Sequence, residues 1–281
     1  MEKQPSIEDV KNFWENNPLF SGESQYEVGS KLFFEEHRQI VLEDCFAGRI
    51  PDELFIPENL AKDARILDLG CGCGFWTVEL QKKGGGYKNF YAADLTQKAL
   101  ELTRKRLELY GLNANLSIQN AEKMNYQDGF FEHLNCQGVI HHTPNMSAAI
   151  KEIARVLKKD DTAYISVYYK NLLIKNWHYF AWAGKILYKV RVRLKGRGRE
   201  GILLATTPEE MVRMFDGKEN PVGKAYSIDE VFRLIDPYFT IEKTYLGYFP
   251  KRILPFKLSA PLHKFLLKNL GFLLYLNLRK K

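Results

Sequence analysis

The spacing of hydrophobic and polar positions changes character twice along the chain. Over residues 6–60 apolar side chains recur every three or four positions, which is the period of a helix with one buried face. Ser6, with Asp9 three residues on, gives the first helix a capping-box start, and Pro18 ends it. SGES is then a loop, and Lys31 to Phe46 carries a second helical stripe through Leu32, Phe33, Ile40, Val41 and Phe46. Over residues 61–169 short apolar runs alternate with helical stretches. Arg65–Leu69, Asn89–Ala93, Asn115–Gln119, part of Phe131–Ile140 and Thr162–Tyr169 read as strands, with helices at Phe75–Lys83, Thr96–Tyr110 and Ser147–Leu157. Such alternation predicts parallel pairing, hence an α/β protein with a doubly wound sheet covered on both faces. Residues 170–281 depart from that rhythm. Asn171 to Leu194 mixes Trp177, Tyr179, Phe180, Trp182 and Tyr188 with Lys185, Lys189, Arg191 and Arg193, and KGRGREG reads as a flexible basic loop. A capped helix follows at Tyr226–Ile235, and YFTIEKTYLGYF reads as strand that completes the sheet.

Composition changes this picture in one respect. The chain has 281 residues, 45% hydrophobic and 27% charged, so it can bury a full core and is not disordered overall. The net charge of +7 is unevenly placed: residues 1–169 sum to −6 and residues 170–281 to +13. The basic C-terminal part therefore points to an anionic contact such as phospholipid, a charged substrate or nucleic acid. The run NLGFLLYLNL is too short to span a bilayer, and no transmembrane segment is expected. MEKQPSIEDV has no apolar signal core, and four cysteines without framework spacing suit a reducing compartment, so a cytoplasmic protein is expected.

The strongest chemical signal is ILDLGCGCGFWTVEL. A strand ending near Asp68 runs into Gly70, Gly72 and Gly74, and a helix follows. Glycines allow the tight turn and let a ligand approach the backbone, while the new helix offers unpaired N–H groups. Asp94 closes the second strand, twenty residues after Gly74, where a carboxylate holds ribose hydroxyls in nucleotide-binding folds. Cys71 and Cys73 supply only two ligands, with no Cys or His pair nearby to complete a metal site, and C-x-C is not the usual redox spacing. They read as small residues filling the turn, and no metal is expected.

Asp68-Leu-Gly-Cys-Gly-Cys-Gly, Asp94, Asn120-Ala-Glu, GVIHHTPN and KEIARVLKK occur in that order over residues 64–169. Together they resemble the class I S-adenosylmethionine-dependent methyltransferases. The resemblance implies a Rossmann-like, mostly parallel doubly wound sheet with S-adenosyl-L-methionine as cofactor. By the same resemblance, Asp68, Gly70, Gly72 and Gly74 belong to the cofactor loop and Asp94 takes the ribose hydroxyls beside Leu95. Asn120 and Ala121 would meet the adenine edge, and Gln137 would lie near the methionine amino group. Phe13-Trp14-Glu-Asn-Asn-Pro18 and Gly29-Ser30-Lys-Leu-Phe33-Phe34 are similar to the lid segments of such enzymes, which makes Tyr26, Gly29 and Ser30 lid contacts. The dinucleotide fingerprint G-x-G-x-x-G is not met, because Phe75 stands where its last glycine would be. Two departures from the pattern stand out: Asn120 replaces an Asp, and Lys158-Lys-Asp-Asp161 replaces the K-P-G-G turn before strand five.

Methyl transfer from a sulfonium is an in-line displacement, and a hydroxyl acceptor benefits from a base. His142, with His141 as second candidate, follows strand four at the carboxyl end of the sheet, where open α/β folds bind ligands. The expected protein thus has a helical N-terminal lid (1–60), a cofactor-binding core (61–169) and a substrate-capping region (170–281). Its expected acceptor is a small or lipid-like hydroxyl compound. RNA methylation and cofactor binding without catalysis are the alternatives. Phe215-Asp216-Gly217 with Asn220-Pro221 reads as a surface turn, with a substrate wall as its other reading. The tail KFLLKNLGFLLYLNLRKK reads as an apolar contact with a basic rim, suited to peripheral binding on an anionic membrane.

Overall fold

The structure, a computed structural model, describes residues 4–191, 194, 201–254 and 256–281. Arg193 and all but the last glycine of KGRGREG lie outside the described residues. The chain opens with α1 (Ile7–Asn16), whose capping box joins Ser6 and Asp9, and α2 (Lys31–Phe46). Then come β1 (Arg65–Leu69), α3 (Phe75–Lys83), β2 (Asn89–Asp94), α4 (Gln97–Leu109), β3 (Asn115–Ile118), β4 (Phe131–Gln137), α5 (Met146–Val156) and β5 (Leu157–Tyr168). The remainder holds α6 (Leu172–Lys175), α7 (Trp177–Lys189), α8 (Pro208–Met214), α9 (Ile228–Ile235), β6 (Phe239–Gly247), α10 (Ala260–Leu270) and β7 (Leu273–Lys280).

Seven strands form one sheet in the order β3-β2-β1-β4-β5-β7-β6. The first five are parallel, and β7 runs antiparallel to both β5 and β6. The order reverses direction at β1, between β2 and β4, and this is where an open α/β sheet leaves a crevice at its carboxyl ends. Ile66, Leu67, Phe90, Phe131 and Leu134 are fully buried on the central strands. Each contributes about 1.5–3 kcal/mol relative to exposure. A second apolar cluster joins α2 to β5, α8 and β7 through Leu42, Tyr168, Met211, Phe215 and Tyr275, so the N-terminal helices and the C-terminal region share one core.

Two expectations from sequence need correction. The tail is not a membrane-facing segment over its last residues. Leu273–Leu276 and Leu278 are buried, because β7 lies between β5 and β6 and both of its faces are covered. Its near-continuous apolar run is the pattern of a strand buried on two sides. Nor is there a separate turn before strand five. Lys158–Asp161 already belong to β5, and Asp160 takes the left-handed conformation (φ 64°) where the register between β4 and β5 shifts. Arg279 holds that kink by donating from Nη1 to the Asp160 carbonyl at 2.7 Å.

Candidate active site

The loop after β1 passes through three left-handed glycines, with φ of 73° at Gly70, 55° at Gly72 and 75° at Gly74. Two of them also need their missing side chain. A Cβ on Gly70 would stand 2.2 Å from Val139 Cγ2, and one on Gly74 would stand 3.1 Å from the Thr103 Cα. The loop is held from below by Asp68, which is buried and accepts from Thr77 Oγ1 at 2.6 Å and Asn135 Nδ2 at 2.8 Å. Burial pushes the Asp68 carboxyl up to about 6. Asp68 and Gly74 therefore shape the loop from behind and do not line the cleft.

Asp94 lies across from the loop. Its Oδ2 accepts the Gly72 N–H at 3.0 Å, and its Oδ1 accepts the backbone N–H and hydroxyl of Thr96, both at 3.0 Å. Desolvation by the cleft walls raises its carboxyl above the ordinary range. The Asn120 Oδ1 is used locally, accepting from the Glu122 N–H at 2.9 Å, which leaves its NH2 as the group it can offer a ligand. Gln137 donates from Nε2 to Asn135 Oδ1 at 3.1 Å, and its buried Oε1 has no partner among the described residues.

These groups border a chamber of about 150 Å³ walled by Gly70, Gly72, Asp94, Leu95, Asn120, Ala121 and Gln137. Its roof is α1 and the residues after it: Ile7, Val10, Trp14, Pro18 and Leu19. Thr96, Ala99 and Gln119 also line it, and sequence reasoning did not select them. Tyr26, Gly29 and Ser30 stand outside its lining. Ser30 instead caps α2, accepting the Phe33 N–H at 3.2 Å, and Gly29 packs against Lys105 and Leu102 of α4. The segment over the first chamber is thus α1 with Pro18 and Leu19, because α1 rather than α2 lies at the carboxyl ends of the strands.

A second chamber of about 220 Å³ shares Trp14, Pro18, Leu19, Gln137, Gly138 and His142 with the first. Its remaining wall includes His141, Tyr168, Asp216, Asp44, Glu23 and Arg252. Arg252 pairs with Glu23 and, through Nε at 2.9 Å, with Asp44. His142 belongs to both chambers. Its Nδ1 is 2.8 Å from the Val222 carbonyl, so that nitrogen carries the proton and donates, leaving the lone pair of the neutral ring on Nε2. Nε2 lies 3.6 Å from Asp216 Oδ2, and Asp216 accepts the Tyr168 hydroxyl at 3.0 Å. The Trp14 ring meets the imidazole edge-on at 5.2 Å between centroids. His141 is buried, its ring 4.0 Å from that of Tyr168, and desolvation keeps it well below the usual histidine range, so it stays neutral. The turn carrying Asp216 is thus a wall of the second chamber, and sequence alone favoured a surface turn there.

Cys71 and Cys73 are buried in separate apolar clusters. Cys73 also packs its Sγ 3.6 Å from the His37 Nε2 of α2, beside the fully buried Arg106, which reaches the carbonyls of Cys73 and Phe34. No group of three or more His, Cys, Asp or Glu placed to hold a metal occurs among the described residues.

The glycine loop at the point where the strand order reverses, with Asp94 facing it, defines a Rossmann-like α/β fold. Residues 66–160 match the family model described as "Methyltransferase domain". A solved S-adenosylmethionine-dependent methyltransferase from Methanosarcina mazei superposes with a TM-score of 0.52 at 20% identity, covering 79% of this chain and 94% of that one. A demethylmenaquinone methyltransferase of Lactobacillus johnsonii is 32% identical over 96 residues, 34% of this chain and 39% of that protein. The chain thus spans less than half the length of that relative. A ubiquinone biosynthesis O-methyltransferase of Dechloromonas aromatica is 27% identical over 177 residues, 58% of this chain and 72% of that one. Residues 66–160 are thus similar to a methyltransferase domain, within a chain that shares its fold with a solved S-adenosylmethionine-dependent methyltransferase.

The matched domain and the fold imply S-adenosyl-L-methionine, and the first chamber suits it. The orphaned Gln137 Oε1 is an acceptor for an ammonium, Asp94 is an acceptor for vicinal hydroxyls, and Leu95 and Ala121 offer apolar surface to a flat base.

Proposed function

We propose that this protein methylates a hydroxyl group of a small or lipid-like molecule, with His142 as the base. The observation that carries the proposal is the position of His142 in the partition between the two chambers, its Nδ1 tied to Val222 and its Nε2 open beside Asp216. S-adenosylmethionine in the first chamber supplies an electrophilic methyl group on a sulfonium. Asp94, Asn120 and Gln137 hold the donor there, and Trp14, Pro18 and Leu19 close water out. The acceptor hydroxyl lies in the second chamber and gives its proton to Nε2 of His142 as its oxygen takes the methyl. The imidazolium so formed donates to Val222 O on one side and faces the Asp216 carboxylate on the other, while Tyr168 orients that carboxylate. The quinone-related names of the two relatives support a small-molecule acceptor over RNA. We read residues 1–60 as the lid, 61–169 as the cofactor core and 170–281 as the acceptor cap.

Calorimetry with S-adenosylmethionine and its demethylated product, followed by mass spectrometry of turnovers with hydroxylated aromatic and lipid acceptors, tests this. Binding of both nucleosides and a mass gain of one methyl on a hydroxyl compound is the expected result. No heat with either nucleoside overturns the cofactor assignment, and methylation confined to nitrogen or carbon acceptors overturns the oxygen assignment.

A further inference from the structure

Helix α7 faces the wrong way for a soluble surface helix. The residues it buries are Ala181 and Gly184, and a Cβ on Gly184 would stand 2.7 Å from the Leu203 carbonyl oxygen. Trp177 ties the same side to the body by donating from Nε1 to Ala205 O at 2.9 Å. The outward side carries Tyr179, Phe180, Trp182, Ile186 and Leu187, with Val190 just beyond the helix, and all six are exposed. Trp182, Tyr179 and Val190 each show 65% of their surface. At 3.6 residues per turn these six fall within one arc of roughly 160°. His178, Lys185 and Lys189 border its Trp182 side, and neighbouring α6 adds exposed Leu172, Leu173 and Lys175. Small residues inward and large apolar residues outward invert the usual amphipathic pattern.

Charge identifies what covers this face. Residues 170–199 contain nine Lys or Arg and no Asp or Glu. We propose that α6 and α7 dock this protein onto an anionic lipid bilayer surface, with the aromatic arc seated among the acyl chain ends and the lysines among the headgroups. Aromatic and aliphatic anchors rimmed by lysine are the composition of helices that lie in the interface, and lysines near an anionic leaflet add electrostatic attraction. A second copy of the chain would bring the same cations against one another, which disfavours self-association through this face. Ile186, Tyr179 and Val190 lie at the centre of the arc with Leu187 and Phe180 toward one edge, a continuous apolar surface unlike the separated stacking platforms of nucleic-acid grooves. No helix among the described residues is long and apolar enough to cross a membrane, so the contact is peripheral. The apolar cluster that receives Trp177 also contains Tyr168 and Phe215. If the function proposed above holds, docking therefore sets the acceptor chamber's wall close to the bilayer.

The test is independent of turnover. The full chain is floated with vesicles of phosphatidylcholine alone and of phosphatidylcholine mixed with phosphatidylglycerol, at low and high salt. Wild type is expected to float with the mixed vesicles, at least tenfold less with the neutral ones, and less at high salt. Trp182→Glu with Ile186→Glu should reduce flotation at least tenfold, and Lys185→Glu with Lys189→Glu should remove the preference for anionic lipid. Both pairs are exposed, so unchanged melting by circular dichroism shows that the fold is intact. Wild type remaining unbound to mixed vesicles overturns the proposal, as does flotation of Trp182→Glu/Ile186→Glu equal to wild type. A wild-type dimer in buffer that this pair of substitutions dissociates assigns the face to self-association instead. Tight single-stranded RNA binding lost in the same variant assigns it to nucleic acid.

Discussion

Nε2 of His142 lies 3.6 Å from Oδ2 of Asp216, two residues that the chain brings together only by folding the segment after α8 back over the end of β4. Asp216 in turn accepts from Tyr168 of β5, so three elements fix one imidazole. His142→Ala is expected to lower kcat by about 10²–10⁴, the usual range for a positioned base. S-adenosylmethionine affinity should change by less than about tenfold, because Asp94 and Gln137 are untouched. Asp216→Asn should lower kcat by roughly tenfold and leave donor affinity unchanged, since its carboxylate acts on the imidazolium. Steady-state kinetics with donor-binding calorimetry separates the two effects, and full turnover in His142→Ala excludes an essential proton acceptor.

Asp94 both closes the glycine loop, through Gly72, and faces the first chamber. Removing a carboxylate that accepts a ribose hydroxyl costs about 1.5–3 kcal/mol. Asp94→Ala should therefore weaken S-adenosylmethionine at least tenfold, measured by calorimetry. Affinity within twofold of wild type would refute the ribose role.

The first chamber's floor was legible in the sequence, and its roof and neighbour were not, for physical reasons. Gly70, Gly72, Asp94 and Asn120 sit on one strand–turn–helix rhythm, so local spacing places them on one edge of the sheet. Trp14 and Leu19 reach that edge only because α1 crosses it, and Tyr26 looked equivalent until the path of the chain was fixed. Asp216 and Arg252 lie far from His142 in sequence, and the D-G and N-P dipeptides beside Asp216 read as a surface turn. The tail misled for a related reason. An apolar run with a basic end is common to an interfacial segment and a strand buried on both faces, and the partners that decide, β5 and β6, lie elsewhere in the sequence.

His133 of β4 is fully buried, and desolvation lowers it from 6.5 to about 3. Above pH 6.5 it is neutral folded and unfolded, so burial of the neutral ring carries no protonation penalty. As pH falls from 6.5 toward 3 the unfolded chain takes a proton that the folded one refuses, and stability drops by about 1.4 kcal/mol per pH unit. His37 and His141 are depressed in the same direction and steepen the loss. Asp68 opposes it: its folded value of about 6 lies above 3.8, so the folded state gains stability as pH falls through that window. Urea unfolding at steps between pH 7 and pH 4 should show stability declining with acidity. His133→Leu leaves the Thr162 hydroxyl without its 2.7 Å partner and is less stable at neutral pH, yet its decline per pH unit should be shallower by about 1.4 kcal/mol. Equal slopes in the two proteins would show that His133 takes up its proton in the folded state.

Gly70 offers the sharpest test of the loop. Its φ of 73° costs an L-residue about 1–2 kcal/mol. An added Cβ would also meet Val139 Cγ2 at 2.2 Å and Cγ1 at 2.7 Å, an overlap worth about 1–3 kcal/mol after relaxation. Gly70→Ala should therefore destabilise the protein by about 2–5 kcal/mol and displace the backbone that walls the first chamber, lowering donor affinity as well. The two costs separate in a double-mutant cycle. Val139→Ala removes the methyl groups that clash, so Gly70→Ala/Val139→Ala should be more stable in urea than Gly70→Ala alone, although Val139→Ala by itself is destabilising. The strain from φ persists in the double variant, which should stay about 1–2 kcal/mol below Val139→Ala. Strict additivity would mean that Val139 moves aside without cost, and the glycine would then be required for its backbone conformation alone.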